Sequence, residues 1–336
     1  MKAIQITENG GPDVLTLADV PTPTPSSDPG GANGSNGSDG SDGQVLVKVT
    51  YAGVNYIDTY YREGIYHSEL PFIPGLEGCG QVVEDPAGEI APGTVVAWES
   101  APGSYAEYVC VDRNRLVAVP ESIPQHVAAT MLLQGITAHY LLYGVHDTQA
   151  GDTLLITAGA GGVGLLLTQL AAAQGATVYS VVSTDEKAEL AYKAGATEVF
   201  RYSDDLAEMV RRRNGGRGVD VVYDGVGKDT FGESLEAVRP RGLVCLFGAA
   251  SGPVDPIDPQ VLNTHGSIFL TRPSIGAYTA TADEFRMRAQ AVVRAVDDGT
   301  LTLRVQEPYA LADAAQAHRD LQGRKTTGSI VLDVAG

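Results

Sequence analysis

The run Leu154 to Leu167, LLITAGAGGVGLLL, constrains this chain more than any other stretch, because an apolar strand breaks into glycines and resumes as an apolar helix. Gly159, Gly161 and Gly164 fit G-x-G-x-x-G, with Gly162 and Val163 inside the pattern. One glycine makes the tight turn, one lets backbone N–H groups approach a pyrophosphate, and one lets helix and strand pack closely. The helix N-terminus then faces the anion. In a chain with 40 glycines the pattern alone is weak, and its weight comes from the strand-helix repeats that follow it. The reading is a dinucleotide site; a glycine-rich structural turn is the alternative.

Those repeats predict strands at 153–157, 177–182, 198–202, 219–224, 243–247 and 267–270, with helices near 163–174, 186–193, 206–213 and 229–238. Strands alternating with crossover helices make a doubly wound, six-stranded parallel sheet of the Rossmann kind, an α/β fold. A long helical run, 125–143, precedes it. Residues 3–119 read differently, as short strands punctuated by Gly and Pro at 3–6, 14–17, 45–50, 80–84, 95–98, 105–111 and 116–119, which predicts a β-rich domain. After 270 come a helix at 282–298, a strand at 301–305, a helix at 312–322 and a strand at 329–334, too little for a third domain. The expected division is therefore 1–124 with 272–336 as the β-rich domain and 125–271 as the dinucleotide-binding domain. Thr22 to Gly43, almost wholly Pro, Ser, Asp, Asn and Gly, reads as a flexible surface insertion.

The 336 residues carry 41 acidic against 23 basic side chains, a formal charge of −18, and Arg greatly outnumbers Lys. Nucleic acid and anionic membranes are poor partners for such a surface. An acid-rich, lysine-poor composition resembles that of proteins from salt-accumulating halophiles, in which salt screens the self-repulsion; an ordinary acidic protein is the alternative. The start has no apolar leader, and no stretch approaches the roughly 20 apolar residues of a membrane span, so a cytoplasmic location is expected. Cys79, Cys110 and Cys245 are too far apart for a disulfide framework or a C-x-x-C zinc pattern. His67, His126, His139, His146, His265 and His318 show no ligand spacing.

Several separated motifs occur in order: Gly11-Pro12, the run Asn55 to Tyr66, Gly75-Leu76-Glu77, the glycine loop, Tyr223-Asp224-Gly225-Val226-Gly227, Phe247-Gly248, Thr271-Arg272-Pro273-Ser274 and Arg324. Over nearly its whole length the chain resembles the quinone oxidoreductase (zeta-crystallin) family of the medium-chain dehydrogenase/reductase superfamily. The resemblance implies a Rossmann domain beside a β-rich GroES-like domain, in a homodimer built by continuing the Rossmann sheets through Ser267 to Leu270. Zinc-dependent members of that superfamily hold the catalytic metal with a Cys and a His-Glu pair. Asn55 stands at the Cys position and Leu76 precedes Glu77, so no metal site is expected.

NAD enzymes usually place an acid at the end of the second Rossmann strand for the ribose hydroxyls. Alignment to the family puts Val182 there, although Asp185 follows at a similar distance. Ser183 and Lys187 then fall where the family binds the 2′-phosphate, and Tyr202 beside the adenosine, which selects NADPH. By the same resemblance Asn55 and Tyr60 lie at the nicotinamide and are the candidate catalytic pair, with Gln134 and Thr137 alongside. Gly225, Phe247, Gly248, Ser251, Arg272 and Arg324 match positions around the ribose and phosphates. Glu77 reads as structural, and the alternative to a site role for Tyr60 is an aromatic packing its helix.

The implied reaction is zinc-free reduction of a quinone or an α,β-unsaturated carbonyl by hydride transfer from NADPH. Two other classes stay open: a non-catalytic, crystallin-like NADPH-binding protein, and an enoyl-thioester reductase. Against the last, 51–98 shows no basic patch for coenzyme A phosphates.

Overall fold

The computed structural model describes residues 1–26, 43–323 and 325–336. They form two compact units: 1–136 with 279–299 and 303–336, and 137–278 with 300–302. The chain therefore leaves the first unit inside a helix, after Ile136, and re-enters it after Tyr278. The sequence reading had put these crossings at 124/125 and 271/272.

The first unit contains β1 (Lys2–Gln5), β2 (Thr16–Asp19), β3 (Gln44–Val54), α1 (Tyr56–Arg62), β4 (Glu77–Glu84), β5 (Val95–Trp98), β6 (Tyr108–Asp112), β7 (Leu116–Ala118) and most of α2 (Gln125–Tyr140). The second holds β8 (Thr153–Ile156), α3 (Gly162–Ala173), β9 (Thr177–Val182), α4 (Asp185–Lys193), β10 (Glu198–Arg201), α5 (Leu206–Arg213), β11 (Val219–Asp224), α6 (Phe231–Ala237), β12 (Val238–Leu246), α7 (Gln260–Thr264), β13 (Phe269–Thr271) and α8 (Ile275–Tyr278). Helix α9 (Ala282–Asp297), β14 (Tyr309–Ala310), α10 (Ala314–Gln322) and β15 (Ile330–Asp333) return to the first unit.

In the second unit six strands pair in the order β10-β9-β8-β11-β12-β13, all parallel. Strand order reverses beside β8, the topological switch point at which such sheets bind ligands. Strand β8 is buried along its whole length and β11 at all but Asp220, as in a parallel sheet covered on both faces. Their side chains join Phe200, Leu206, Val210, Phe231 and Leu235 in one core.

In the first unit β15, β3, β4 and β5 run antiparallel, with β6 also on β3. Strand β3 buries Val45, Leu46 and Val47 in succession, turns Lys48 to solvent, and is buried at both faces again from Ala52 to Val54, where it enters the site. The core there gathers Ile4, Ile6, Val47, Trp98, Tyr105 and Leu332.

Two readings change. The strand expected at 301–305 is only a single bridge, Val305 with Ser329. The helix expected to Tyr143 is α only to Tyr140, and 141–145 widen into a π turn. Of the expected insertion, 27–42 lie outside the described residues. The chain on either side of them meets, with Gln44 N–H donating to the Ser26 carbonyl at 2.9 Å.

Candidate active site

In the first unit the site grows from the junction of β3 and α1. Asn55 is the N-cap of α1 and its backbone N–H donates to Asp58 Oδ2 at 2.9 Å, one half of a capping box. The Asn55 side chain also has tertiary partners. Its Nδ2 donates to Glu77 Oε2 at 2.8 Å, and its Oδ1 accepts from Gln134 Nε2 at 3.1 Å. Gln134 is held in turn, because its Oε1 accepts from Ser329 Oγ at 2.7 Å. The amide can present itself in only one sense, with one N–H left for another ligand.

Glu77 is fully buried and also accepts from the Leu133 N–H at 2.7 Å. Burial pushes its carboxyl up to about 8, while the two N–H donors pull it back. Gly53 exists for this contact: a Cβ there would lie 2.5 Å from the Ala129 carbonyl and 2.8 Å from Glu77 Oε2. Glu77, which the sequence reading treated as structural, thus braces the candidate catalytic amide.

Tyr60 sits one turn along α1, partly buried, its ring 5.4 Å from Tyr66 and 6.3 Å from Tyr56. The helix carrying it is tied down at both ends by a polar chain that no local motif reveals. Arg62, fully buried, donates through Nε to the Gly10 carbonyl at 3.0 Å and through Nη1 to His318 Nδ1 at 2.9 Å. Because guanidinium is only a donor, His318 carries its proton on Nε2 and donates to the Tyr105 hydroxyl at 3.2 Å; that hydroxyl donates to Asp58 Oδ2 at 2.8 Å. Burial and the neighbouring Arg62 hold His318 down to about 3, so it is neutral, and burial raises Asp58 to about 7. The chain is thus a cation and a carboxyl group joined through two neutral side chains.

In the second unit the glycine loop follows β8. Ala158, not a glycine of the motif, takes the left-handed turn, with φ at +52°. Its N–H donates to the Tyr202 hydroxyl at 2.8 Å and its carbonyl accepts from Gly161 N–H at 2.8 Å. The motif glycines are fixed by close approach instead. A Cβ on Gly159 would come within 2.8 Å of Ser180 Cβ, and one on Gly164 within 2.4 Å of the Ala158 carbonyl. Gly161 is the N-cap of α3 and supplies no side-chain cap. An uncapped helix N-terminus at the switch point, lined by glycines, suits a pyrophosphate.

The wall beyond β11 is equally tight. Asp224, fully buried, accepts from Thr157 Oγ1 (3.0 Å), the N–H groups of Val226 and Gly227 (2.9 and 3.1 Å), Thr230 Oγ1 (2.8 Å) and Ser234 Oγ (2.7 Å). It shapes the turn at Gly225, where a Cβ would lie 2.7 Å from the Phe247 ring, while a Cβ on Gly248 would lie 2.3 Å from the Gly225 carbonyl. Ser251 spends its hydroxyl hydrogen on the Val226 carbonyl at 2.8 Å and accepts from Asp229 N–H at 3.0 Å, so toward a ligand it can only accept. Thr137 hydrogen-bonds Tyr140, which stacks on Tyr278 at 4.6 Å. Arg272 is exposed, as is Ser183, and Lys187 is partly so. Arg324 lies outside the described residues.

Asp185, the acid that competed for a ribose role, is ion-paired with Arg201. Among the described residues no three His, Cys, Asp or Glu side chains are placed to hold a metal ion.

A parallel Rossmann sheet with an uncapped glycine turn, and a β unit presenting a braced amide, define a two-domain dinucleotide-dependent oxidoreductase. The comparisons agree: residues 41–121 match the alcohol dehydrogenase GroES-like domain and residues 162–293 the zinc-binding dehydrogenase domain. The chain is 38% identical to a quinone oxidoreductase of Pseudomonas aeruginosa, over 98% of this chain and 99% of that one. It is 39% identical to a 2-haloacrylate reductase of a Burkholderia species, over 98% of each. A mycobacterial protein solved with NADPH superposes with a TM-score of 0.91 at 46% identity, covering 99% of this chain and 100% of that one. The Escherichia coli quinone oxidoreductase, also solved with NADPH, gives 0.91 at 35%, with the same coverage. The chain belongs to the quinone oxidoreductase family of the medium-chain dehydrogenase/reductase superfamily.

Proposed function

We propose that this protein uses NADPH to reduce a quinone or an α,β-unsaturated carbonyl without zinc. The observation that carries the reading is the Asn55 side chain locked between Glu77 and Gln134 at the position where zinc-dependent relatives bear a cysteine ligand. An amide and the Leu76 side chain offer a zinc ion nothing comparable to thiolate and imidazole.

Bound NADPH supplies a hydride to an electrophilic carbon of the substrate. The glycine loop and the α3 N-terminus anchor the pyrophosphate, Ser183 and Lys187 take the 2′-phosphate, and Tyr202 braces the loop from the adenosine side. Gly225, Phe247, Gly248, Ser251 and Arg272 line the remaining ribose and phosphate positions. On the substrate, negative charge gathers on the carbonyl oxygen. Asn55 has an N–H left after serving Glu77, and Tyr60 bears a hydroxyl; both act as donors to that oxygen. Conjugation spreads the charge of a quinone or enone, so such donors suffice where an unconjugated ketone would need a stronger acid.

We further infer a homodimer. Strand β13 pairs with β12 alone among the described strands, and Phe269 on it is 64% exposed. A second copy continuing the sheet would cover that edge. Among the described residues no helix is long and apolar enough to cross a membrane, and a cytoplasmic, salt-adapted enzyme fits the −18 charge.

A steady-state panel of quinones, enones and 2-haloacrylates with NADPH and with NADH, at low and multimolar salt, tests the reading. Turnover of at least one quinone or enone with NADPH is expected. Tight NADPH binding without turnover of any of them would leave a binding protein.

A further inference from the structure

The corner of the second unit where β9 and β10 end holds a cation that no motif announced. Strand β10 closes at Arg201, which pairs in parallel register with Val182, the last residue of β9. At this strand end a Rossmann fold discriminates a ribose hydroxyl from a ribose phosphate. Two bonds tie the corner to the pyrophosphate loop: Gly159 N–H to the Val181 carbonyl at 3.0 Å, and Ala158 N–H to the hydroxyl of Tyr202, the residue after Arg201. The Arg201 guanidinium reaches across to Asp185, the first residue of α4, and donates to its Oδ1 through Nη2. Its Nη1 is buried and has no hydrogen-bond partner among the described residues.

We propose that Arg201 is a binding residue for the 2′-phosphate of the dinucleotide and that Asp185 is its clasp. The proposal rests on the reading of Ser183 and Lys187 as 2′-phosphate contacts and adds the residue that sets selectivity there. A guanidinium presents its N–H groups as a planar fork matched to phosphate oxygens, and Arg201 has half of that fork unused. The clasp is labile, because the Asp185 side chain is fully exposed and an ion pair in water is weak. A phosphate dianion competes for the guanidinium successfully where a neutral ribose does not. With a bare ribose the pair stays closed, and Asp185, the acid best placed to accept from a 2′-hydroxyl, is occupied. One pair therefore disfavours NADH and favours NADPH.

Calorimetric titration with 2′,5′-ADP and with 5′-AMP, fragments without nicotinamide, tests this independently of turnover. Arg201→Gln is expected to weaken 2′,5′-ADP at least tenfold and leave 5′-AMP unchanged. Arg201→Lys should recover part of the loss. Asp185→Asn should bind 2′,5′-ADP at least as tightly as the parent protein. Equal weakening of both fragments by Arg201→Gln, or of neither, overturns the proposal. Lys187→Ala separates it from the reading beneath it. If Lys187→Ala loses 2′,5′-ADP and Arg201→Gln does not, the phosphate site stands and the role of Arg201 falls. If neither variant loses it, the site itself is misplaced and both readings fall.

Discussion

Asn55 Nδ2 lies 2.8 Å from Glu77 Oε2, and through that bond a buried carboxyl fixes which end of the candidate catalytic amide is the donor. Glu77→Gln keeps the volume and places an NH₂ against one of two N–H donors, from Asn55 or from Leu133. Leaving a buried donor unpaired costs about 1–3 kcal/mol. We expect a fall of roughly tenfold to a hundredfold in kcat/KM, with kcat carrying most of it, and an unchanged Kd for NADPH. Stopped-flow turnover beside calorimetry checks both, and an unaltered kcat would remove Glu77 from the positioning role.

The hydroxyl of Tyr60 is assigned as a donor to the substrate oxygen. Tyr60→Phe preserves the ring contact with Tyr66 and should lower kcat by about a hundredfold to a thousandfold, the range for loss of one oxyanion donor. Equal turnover of every quinone and enone by the variant would return Tyr60 to a packing role.

The buried Arg62–His318–Tyr105–Asp58 chain gives stability a definite pH dependence. His318 is held down to about 3 in the folded protein against 6.5 unfolded, so between those values the unfolded chain binds a proton that the native one refuses. Its contribution is full above pH 6.5 and declines as pH falls toward 3, by on the order of 5 kcal/mol. Asp58 and Glu77, raised to about 7 and 8, act in the opposite sense: their contribution is full in acid and is lost as pH rises through those values. In melting curves from pH 4 to 8, the stability gap between the parent and His318→Gln should narrow steadily below pH 6.5. A gap independent of pH would mean that His318 is charged or already satisfied in the unfolded state.

Gly164→Ala introduces a methyl 2.4 Å from the Ala158 carbonyl, which belongs to the backbone and cannot swing away. The expected cost is about 1–3 kcal/mol, as for overpacking, with NADPH and NADH binding lost together because the pyrophosphate seat is shared. Differential scanning fluorimetry with and without each nucleotide reads both effects. A variant that still shifts in melting temperature with NADPH would show that α3 can move.

Activity that survives exhaustive chelation, with no zinc by elemental analysis of the active protein, is the expected metal result. A chelator-sensitive rate restored by zinc would reverse it. With 41 acidic and 23 basic residues, the melting temperature should rise with potassium chloride well beyond the screening reached at 0.15 M. No further gain above that concentration would mark an ordinary acidic enzyme.

The glycine loop and the six parallel strands are local patterns, and period and punctuation were enough to read them; Asn55 and the motif around Asp224 stood out only through the resemblance to a family. The sequence put Gly159, Gly161 and Gly164 where β8 passes into α3 but assigned the turn to one of them, whereas the positive φ falls on Ala158. Nothing in the local sequence favours alanine there; the conformation is held by Tyr202, 44 residues away. The strand expected at 301–305 failed for a similar reason, since alternation supplies a strand's faces but not a partner along its length.

What the sequence determined by itself was the class of fold and the dinucleotide loop, because each is written in residues that are neighbours along the chain. Only the tertiary structure decided how the polar side chains are used. Arg62 meets His318 across 256 positions, Asn55 meets Gln134 across 79, and Asp185 meets Arg201 across 16. A side chain's hydrogen bonds, and hence its charge and orientation, depend on which groups the fold brings within about 3 Å, and no periodicity encodes that distance.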